Sequence, residues 1–391
     1  MTTVLSAYPW LPHAIVALVI FAILPLAVGY LVLLERKVLA DLQARLGPMR
    51  VGPHGLLQPL ADAVKLLIKE DIVPTHADRP LFVIAPLISF AAAVLGFVVL
   101  PFSAGIFVVD LNIGILLISA VSALGILGII LGGWSSNSHY SLLGALRSAA
   151  QLVSYEVALS LGLLTGITVA GSLSLNTVVA QQLAQHRWFL FSNYGAMILP
   201  FLVFMTAAVA ETNRIPFDLP EAESELVAGY HTEFSGFRWS LYMLAEWGNI
   251  LVVCAVAVTL FLGGWLRPFA NVHWLEIPLN VALPLLSFVG IGLYCAFRSR
   301  RVFYRFESVI MLALAAAFCL LGLLFLIPAI QLALAGLYWF FVKLGVLVYL
   351  LIWIRATLPR VRYDQLMSFG WRYLIPAGLG ALGLNAVLGL L

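Results

Sequence analysis

The sequence predicts an all-α fold: a polytopic transmembrane helical bundle of about ten spans, with amphipathic helices at its cytoplasmic surface. Three observations predict it. Hydrophobic residues make up 63% of the 391-residue chain and charged ones 10%, with a mean hydropathy of +1.05. That is more apolar surface than such a chain could bury from water. Ten stretches are apolar over the roughly 20 residues a helix needs to cross hydrocarbon. When these stretches alternate, 18 of the 21 Lys and Arg residues fall in connections on one side. Only Arg187 and Arg267 fall on the other, and Lys343 lies within a span. One missed span would invert everything after it, so the split supports the count. Basic connections stay in the cytoplasm, which places both termini outside, in the periplasm if the membrane is a bacterial inner membrane.

The first stretch, 11–34, is too long for a cleaved signal, and Glu35, Arg36 and Lys37 come after it rather than before. It is read as a span. The connection 35–80 contains "GLLQPLADAVKLLIKE", where Leu56, Leu57, Leu60, Val64, Leu67 and Ile68 recur at helical spacing with Asp62, Lys65 and Lys69 opposite. Such a helix is too short and charged to span, and is expected to lie along the membrane surface. Spans at 81–101, 111–133, 148–171 and 189–210 come next. An acidic loop, 211–238, then leads into a span at 239–265. Two further spans, 277–297 and 308–330, flank "FRSRRVFYRFES", and the last two are 335–354 and 373–391. Residues 1–391 thus read as one integral membrane domain.

The acidic loop carries the chemistry. Glu211, Asp218, Glu221, Glu223, Glu225, Glu233 and Glu246 are seven of the chain's 18 acidic residues, within 36 positions. Asp218 and Glu221 form a capping-box spacing with Pro220 in the first turn, predicting a short helix that ends near Gly229. A solvated loop would not need the interleaved Ile215, Pro216, Phe217, Leu226, Val227 and Tyr230. The acids also run into the bilayer at Glu211 and Glu246, while Glu156 and Lys343 lie inside other spans. An ionisable side chain in hydrocarbon costs at least about 2.5–3.5 kcal/mol, and such groups line ion paths or polar cavities. Helical rise puts Glu156 and Glu246 each roughly 12 Å below the cytoplasmic surface, and Lys343 roughly 18 Å. The four are therefore expected to form a series that water links into a proton route. Pairing for packing alone is the competing reading of each.

Cys254, Cys295 and Cys319 are scattered singly, without spacing for cluster or zinc ligation, and no dinucleotide-binding fingerprint occurs. This chain is therefore expected to bind neither metal nor flavin. A net charge of +3 gives no reason to expect nucleic acid.

Long segments resemble a known family: "ERKVLADLQARLGPMRVGPHGLLQPLADAVKLLIKE" (35–70), "SYEVALSL" (154–161), "AETNRIPFDLPEAESELVAGYHTEFSGF" (210–237), "LFLGGW" (260–265) and "WIRATLPRVRYDQLMSFGW" (353–371). The chain resembles the membrane subunit of respiratory complex I that adjoins the peripheral arm, called the H subunit in bacteria and NADH dehydrogenase subunit 1 in mitochondria. The resemblance runs over about 10–266 and 335–375. It implies part of a proton-translocating NADH:quinone oxidoreductase that builds the quinone chamber and the start of the proton path. By position, the family's chamber residues fall on Glu35, Arg36, Arg45, Asp62 and Lys65, with Glu221, Glu223 and Glu225 beside them. Its acidic channel falls on Glu156, Glu211, Asp218, Glu233 and Glu246. The implied partners are peripheral-arm subunits holding iron–sulfur clusters and FMN, small membrane subunits and antiporter-like subunits. Quinone is the implied substrate and bilayer lipid the surroundings. The chain departs from the pattern at 267–334, which reads as an inserted pair of spans that preserves the orientation of the last two.

Two other readings stay open at this point. A stand-alone ion-coupled transporter would call for paired repeats and matched broken helices, and no repeat relates the first five spans to the last five. The equivalent subunit of a membrane-bound hydrogenase would share the motifs and need no quinone.

Overall fold

The computed structural model describes residues 10–218, 228–300 and 304–389. Among them the chain is helical throughout, with an isolated bridge between Ser103 and Ile106. The helices are α1 (Leu11–Leu42), α2 (Gln58–Ile68), α3 (Arg79–Gly96), α4 (Gly114–Ser135), α5 (His139–Ala170), α6 (Leu175–Ala184) and α7 (Ile198–Glu211). They continue with α8 (Gly236–Phe261), α9 (Leu283–Ser299), α10 (Arg305–Leu324), α11 (Pro328–Thr357), α12 (Tyr363–Phe369) and α13 (Ile375–Leu388). Eight helical segments among the described residues are long and apolar enough to cross a membrane: α1, α3, α4, α5, α8, α9 with the helical turns that precede it (His273–Ser299), α10 and α11.

One of the ten expected spans is shorter than the hydropathy suggests. Residues 189–197 do not join α7, because Asn193, Tyr194 and Gly195 all hold positive φ (49°, 56° and 84°), which no α-helix tolerates. The 14-residue helix that remains is about 21 Å long, against a hydrocarbon core of about 30 Å. The last apolar stretch is helical without a break, from α12 through a π-helical turn, Gly370–Leu374, into α13. By contrast α5 begins nine residues earlier than expected, at His139, and runs for 32 residues.

Even so, the helix ends sort into two layers. In one, Arg238 pairs with Asp71 at 3.1 Å, the Ile72 N–H donates to Ser235 Oγ at 2.9 Å, and the Asp78 N–H donates to the Ser135 carbonyl at 2.9 Å. Arg298 Nε donates to His54 Nε2 at 2.9 Å, and the Val361 N–H to the Pro216 carbonyl at 3.1 Å. In the other layer, Ser174 Oγ donates to Asp110 Oδ1 at 2.8 Å, Ser103 Oγ to the Ala333 carbonyl at 2.7 Å, and Asn193 to Asn385 at 3.1 Å. His13 meets the Phe107 carbonyl there as well. Among the described residues the long helices, with α7 and α13, alternate between these layers. The short α7 therefore still carries the chain across the bundle, as does the helix that ends in α13, and the basic connections gather in the first layer.

Helix α8 is the most enclosed, with buried residues along its length from Leu241 to Phe261. It packs between α3, α5, α7 and α11. Lipid offers no hydrophobic drive for helices to associate, so small residues permit close approach. At Gly162 a Cβ would come within 2.9 Å of Phe204 Cβ, which is why α5 lies directly on α7. Helix α2 buries none of its residues and leaves Leu60, Val64, Leu67 and Ile68 exposed, as an interfacial helix should. Helices α9 and α10 form a hairpin packed mainly on itself.

Candidate functional site

Three of the expected carboxylates come together through cavities. Glu246 on α8 and Glu211 at the end of α7 line one cavity of about 40 Å³, along with Ser89, Ser122, Tyr230, Tyr242 and Asn249. Glu211, Ser122 and Asn249 also line a second cavity of about 40 Å³, whose wall includes Glu156 on α5. A water needs roughly 10–15 Å³ of such space and polar partners, so each cavity has room for a few. Glu211 is therefore the shared member: Ser122 donates a hydrogen bond to its Oε1, while Oε2 is buried without a partner among the described residues. Depth arithmetic puts Glu156 and Glu246 at one level, but the structure links them through Glu211.

The acidic loop supplies partners for these groups. Arg214 Nη2 lies 3.3 Å from Glu246 Oε2, with its guanidinium 4.6 Å from the centre of the Trp247 ring. Tyr230 Oη donates to Glu246 Oε1 at 2.9 Å. Asp218 is buried, and Arg360 Nη2 donates to its Oδ2 at 3.0 Å. Burial raises the Asp218 carboxyl above the usual aspartate range, and Arg360 opposes that shift. Burial lowers the nearby His231 imidazole, with Glu246 opposing. Gln151 of α5 donates to the Ala210 and Phe217 carbonyls, both at 2.8 Å, fixing the start of the loop.

A third cavity lies beside the first. Its polar wall is Glu35, Thr212, Arg214 and Arg355, and its apolar wall is Trp247, Ile250, Val348 and Leu351. Glu35 of α1 is buried and paired with Arg355 of α11. Arg36, one residue on, points away to Asp62 of α2 at 2.9 Å, and Gln58 donates to the other Asp62 oxygen. Thr212 lines both this cavity and the one containing Glu246, so the Arg214–Glu246 pair stands between the two.

The remaining expected residues stand apart. Arg45 is exposed and donates to Gln43 at 2.8 Å, and Lys65 is exposed on α2. Glu233 is half-buried and lines none of these cavities. Lys343 is buried, but its ammonium is held by three carbonyls of the opposite layer, Leu262 at 2.6 Å, Gly264 at 2.8 Å and Leu266 at 2.6 Å. The Trp188 ring covers it at 4.7 Å. The structure does not bring it to the carboxylates. Glu221, Glu223 and Glu225, with the short helix expected around them, lie outside the described residues.

Comparison with known proteins agrees with the motifs. Residues 15–386 match the NADH dehydrogenase family. The whole chain is 58% identical to the second H subunit of NADH-quinone oxidoreductase from Solibacter usitatus, covering 99% of that protein. The chain belongs to the family of NADH-quinone oxidoreductase H subunits. The first H subunit of Koribacter versatilis is 48% identical over 95% of this chain and 90% of its own length, and the H subunit of Rickettsia canadensis 42% over 97% and 94%. As a member of this family, the chain is a multi-pass membrane component of an oxidoreductase complex.

Sequence reasoning misses the cations of this H-subunit site. Arg214, Arg355 and Arg360 serve there only as markers of sidedness, although each faces a carboxylate in the structure. The available signal is the acids themselves, since buried carboxylates need compensating charge or hydrogen bonds. Ser122 and Asn249, isolated polar residues in apolar helices, carry a weaker one.

Proposed function

We propose that the chain forms the quinone-binding chamber of its complex and couples quinone reduction to an intramembrane proton path. The observation that carries this reading is the adjacency of three cavities. One holds Glu35 and Arg355 beside an apolar wall, and the other two are joined at Glu211 and lead to Glu156. A quinone requires an apolar slot for its tail and a few polar groups near its head. Electrons come from partner subunits carrying iron–sulfur clusters and FMN. Reduction adds two electrons and takes up two protons. Arg36, Arg45 and Lys65, outside the cavity that Glu35 lines, favour the anionic intermediate by their positive field at the mouth of the chamber, where Asp62 orients or helps protonate the incoming headgroup. Glu221, Glu223 and Glu225 border this chamber.

Charge appearing at the headgroup is felt by Arg214, which shares its cavity wall, and through Arg214 by Glu246. Glu246, Glu211 and Glu156 then relay a proton through water toward antiporter-like subunits, with Asp218 and Glu233 at the loop end. Small membrane subunits cover the sides of the bundle. Residues 267–334 are read as an added pair of spans outside this route. The basic layer faces the cytoplasm, so both termini lie on the periplasmic side of a bacterial inner membrane. Lys343 contributes at the far end, where its ammonium closes the loop after α8.

The test uses membranes containing the assembled complex. Glu156→Gln and Glu211→Gln are each expected to lower proton translocation and quinone reduction at least about tenfold, while NADH-dependent reduction of a water-soluble acceptor stays at the wild-type level. Wild-type quinone reduction and pumping in both variants would remove the proton-path assignment.

A further inference from the structure

Two side chains of the acidic loop hold Glu246, one on each carboxylate oxygen. Arg214 takes Oε2 and faces the chamber cavity, whereas Tyr230 takes Oε1 and lines the cavity shared with Glu211 and Asn249. Tyr230 is only 1% exposed, and its ring stands edge-on to Tyr242 at 5.2 Å. Ser141 of α5 donates to its carbonyl at 2.8 Å. Gly229, just before it, has φ +61°, and a Cβ added to Gly144 of α5 would come within 2.7 Å of Gly229 Cα. The turn therefore rests on the backbone of α5 with no side chain between them. Only Ala228 and Gly229 separate Tyr230 from the stretch 219–227 that carries Glu221, Glu223 and Glu225.

We propose that Tyr230 is a positioning residue that holds the Glu246 carboxylate turned toward the cavity it shares with Glu211. The inference rests on the reading of Glu246 as part of the proton path. A hydrogen bond to a carboxylate is charge-assisted and geometrically demanding, and proton relay needs donors and acceptors within hydrogen-bond reach. With the hydroxyl in place, the carboxylate stays turned toward the cavity it shares with Glu211. Without the hydroxyl, Arg214 alone holds the carboxylate, from the side of the cavity that Glu35 lines.

The experiment compares Tyr230→Phe, Glu246→Gln and the double variant in membranes containing the complex. Rates are normalised to NADH-dependent reduction of a water-soluble acceptor. Tyr230→Phe removes one oxygen and keeps the ring. It is expected to lower kcat for quinone reduction about three- to tenfold, with KM for quinone changed less than about twofold. The double variant is expected to be no slower than Glu246→Gln alone. Ser141→Ala, which frees the turn from α5 without touching Glu246, is expected to give a smaller loss of the same kind, and it replaces Tyr230→Phe if that variant fails to assemble. Additive losses in the double variant, or wild-type kcat in Tyr230→Phe beside a slow Glu246→Gln, would overturn the inference and leave the proton path standing. Wild-type rates in Glu246→Gln would instead remove the proton-path reading on which it rests.

Discussion

Two regions of this bundle bury charge, and they do so in opposite ways. In the basic layer, Glu246 is held by Arg214 and Tyr230, Glu211 by Ser122 and Asp218 by Arg360; Glu246 and Glu211 line a small cavity, and Glu211 Oε2 and Asp218 Oδ1 have no partners among the described residues. In the opposite layer, Lys343 fills its own cage, donating to three carbonyls under the face of Trp188. Its carbonyl partners cannot take up or release a proton, and they belong to the turn that ends α8. The comparison teaches that an intramembrane charge points to transport when its neighbours are themselves titratable and separated by hydratable space. A charge closed in by backbone is an anchor.

Substitutions that take a charge from each region sharpen the contrast. Glu35→Gln leaves the half-buried Arg355 without its carboxylate beside the third cavity, and losing this charge-assisted pair is expected to cost about 2–3 kcal/mol. The variant complex should melt at lower temperature and also show a raised KM for quinone; an unchanged KM would separate this pair from the chamber. Lys343→Met leaves three carbonyls facing an apolar side chain and is expected to cost about 2 kcal/mol. The complex should lose thermal stability and yield, while turnover per assembled complex stays near wild type. A large fall in turnover without a loss of stability would move Lys343 from anchor to relay.

Smaller effects probe the rim. The Arg36–Asp62 pair is half-exposed, so Arg36→Gln is expected to change stability by less than about 1 kcal/mol. Any larger effect on quinone KM in that variant would mark a contact with the headgroup. The smallest effect is a pH dependence. His231 resists protonation in the folded chain because it is buried, and its ordinary value is 6.5. Its contribution to stability is complete above that value and declines as pH falls below it, where the unfolded chain takes up the proton first. Thermal melting of the complex from pH 7.5 to about 5.5 should fall less steeply for His231→Gln than for the wild type. Parallel slopes would show that His231 is not the group responsible.

Much of this was legible in the sequence, because hydropathy and charge sidedness are local properties. The interfacial helix α2 appears as expected from the spacing of Leu60, Val64, Leu67 and Ile68. That Glu211 and Glu246 carry a role was legible because carboxylates in apolar helices need a reason to be there; their partners were not. The break at Asn193–Gly195 was not, since three consecutive left-handed residues leave hydropathy unchanged while ending a helix. Nor was the separation of Lys343, because depth along one helix does not say which neighbour faces it.

The sequence alone determined that the chain is a membrane bundle, which helix ends share the basic layer, and which acids enter the bilayer, since each results from the cost of placing charge in hydrocarbon. Only the tertiary structure decided their partners. Glu35 and Arg355 are 320 residues apart, and Glu156 reaches Glu246 only through cavities built from several helices. No window of sequence encodes such pairings, because they depend on how the helices rotate and pack once the hydrophobic requirement is already met.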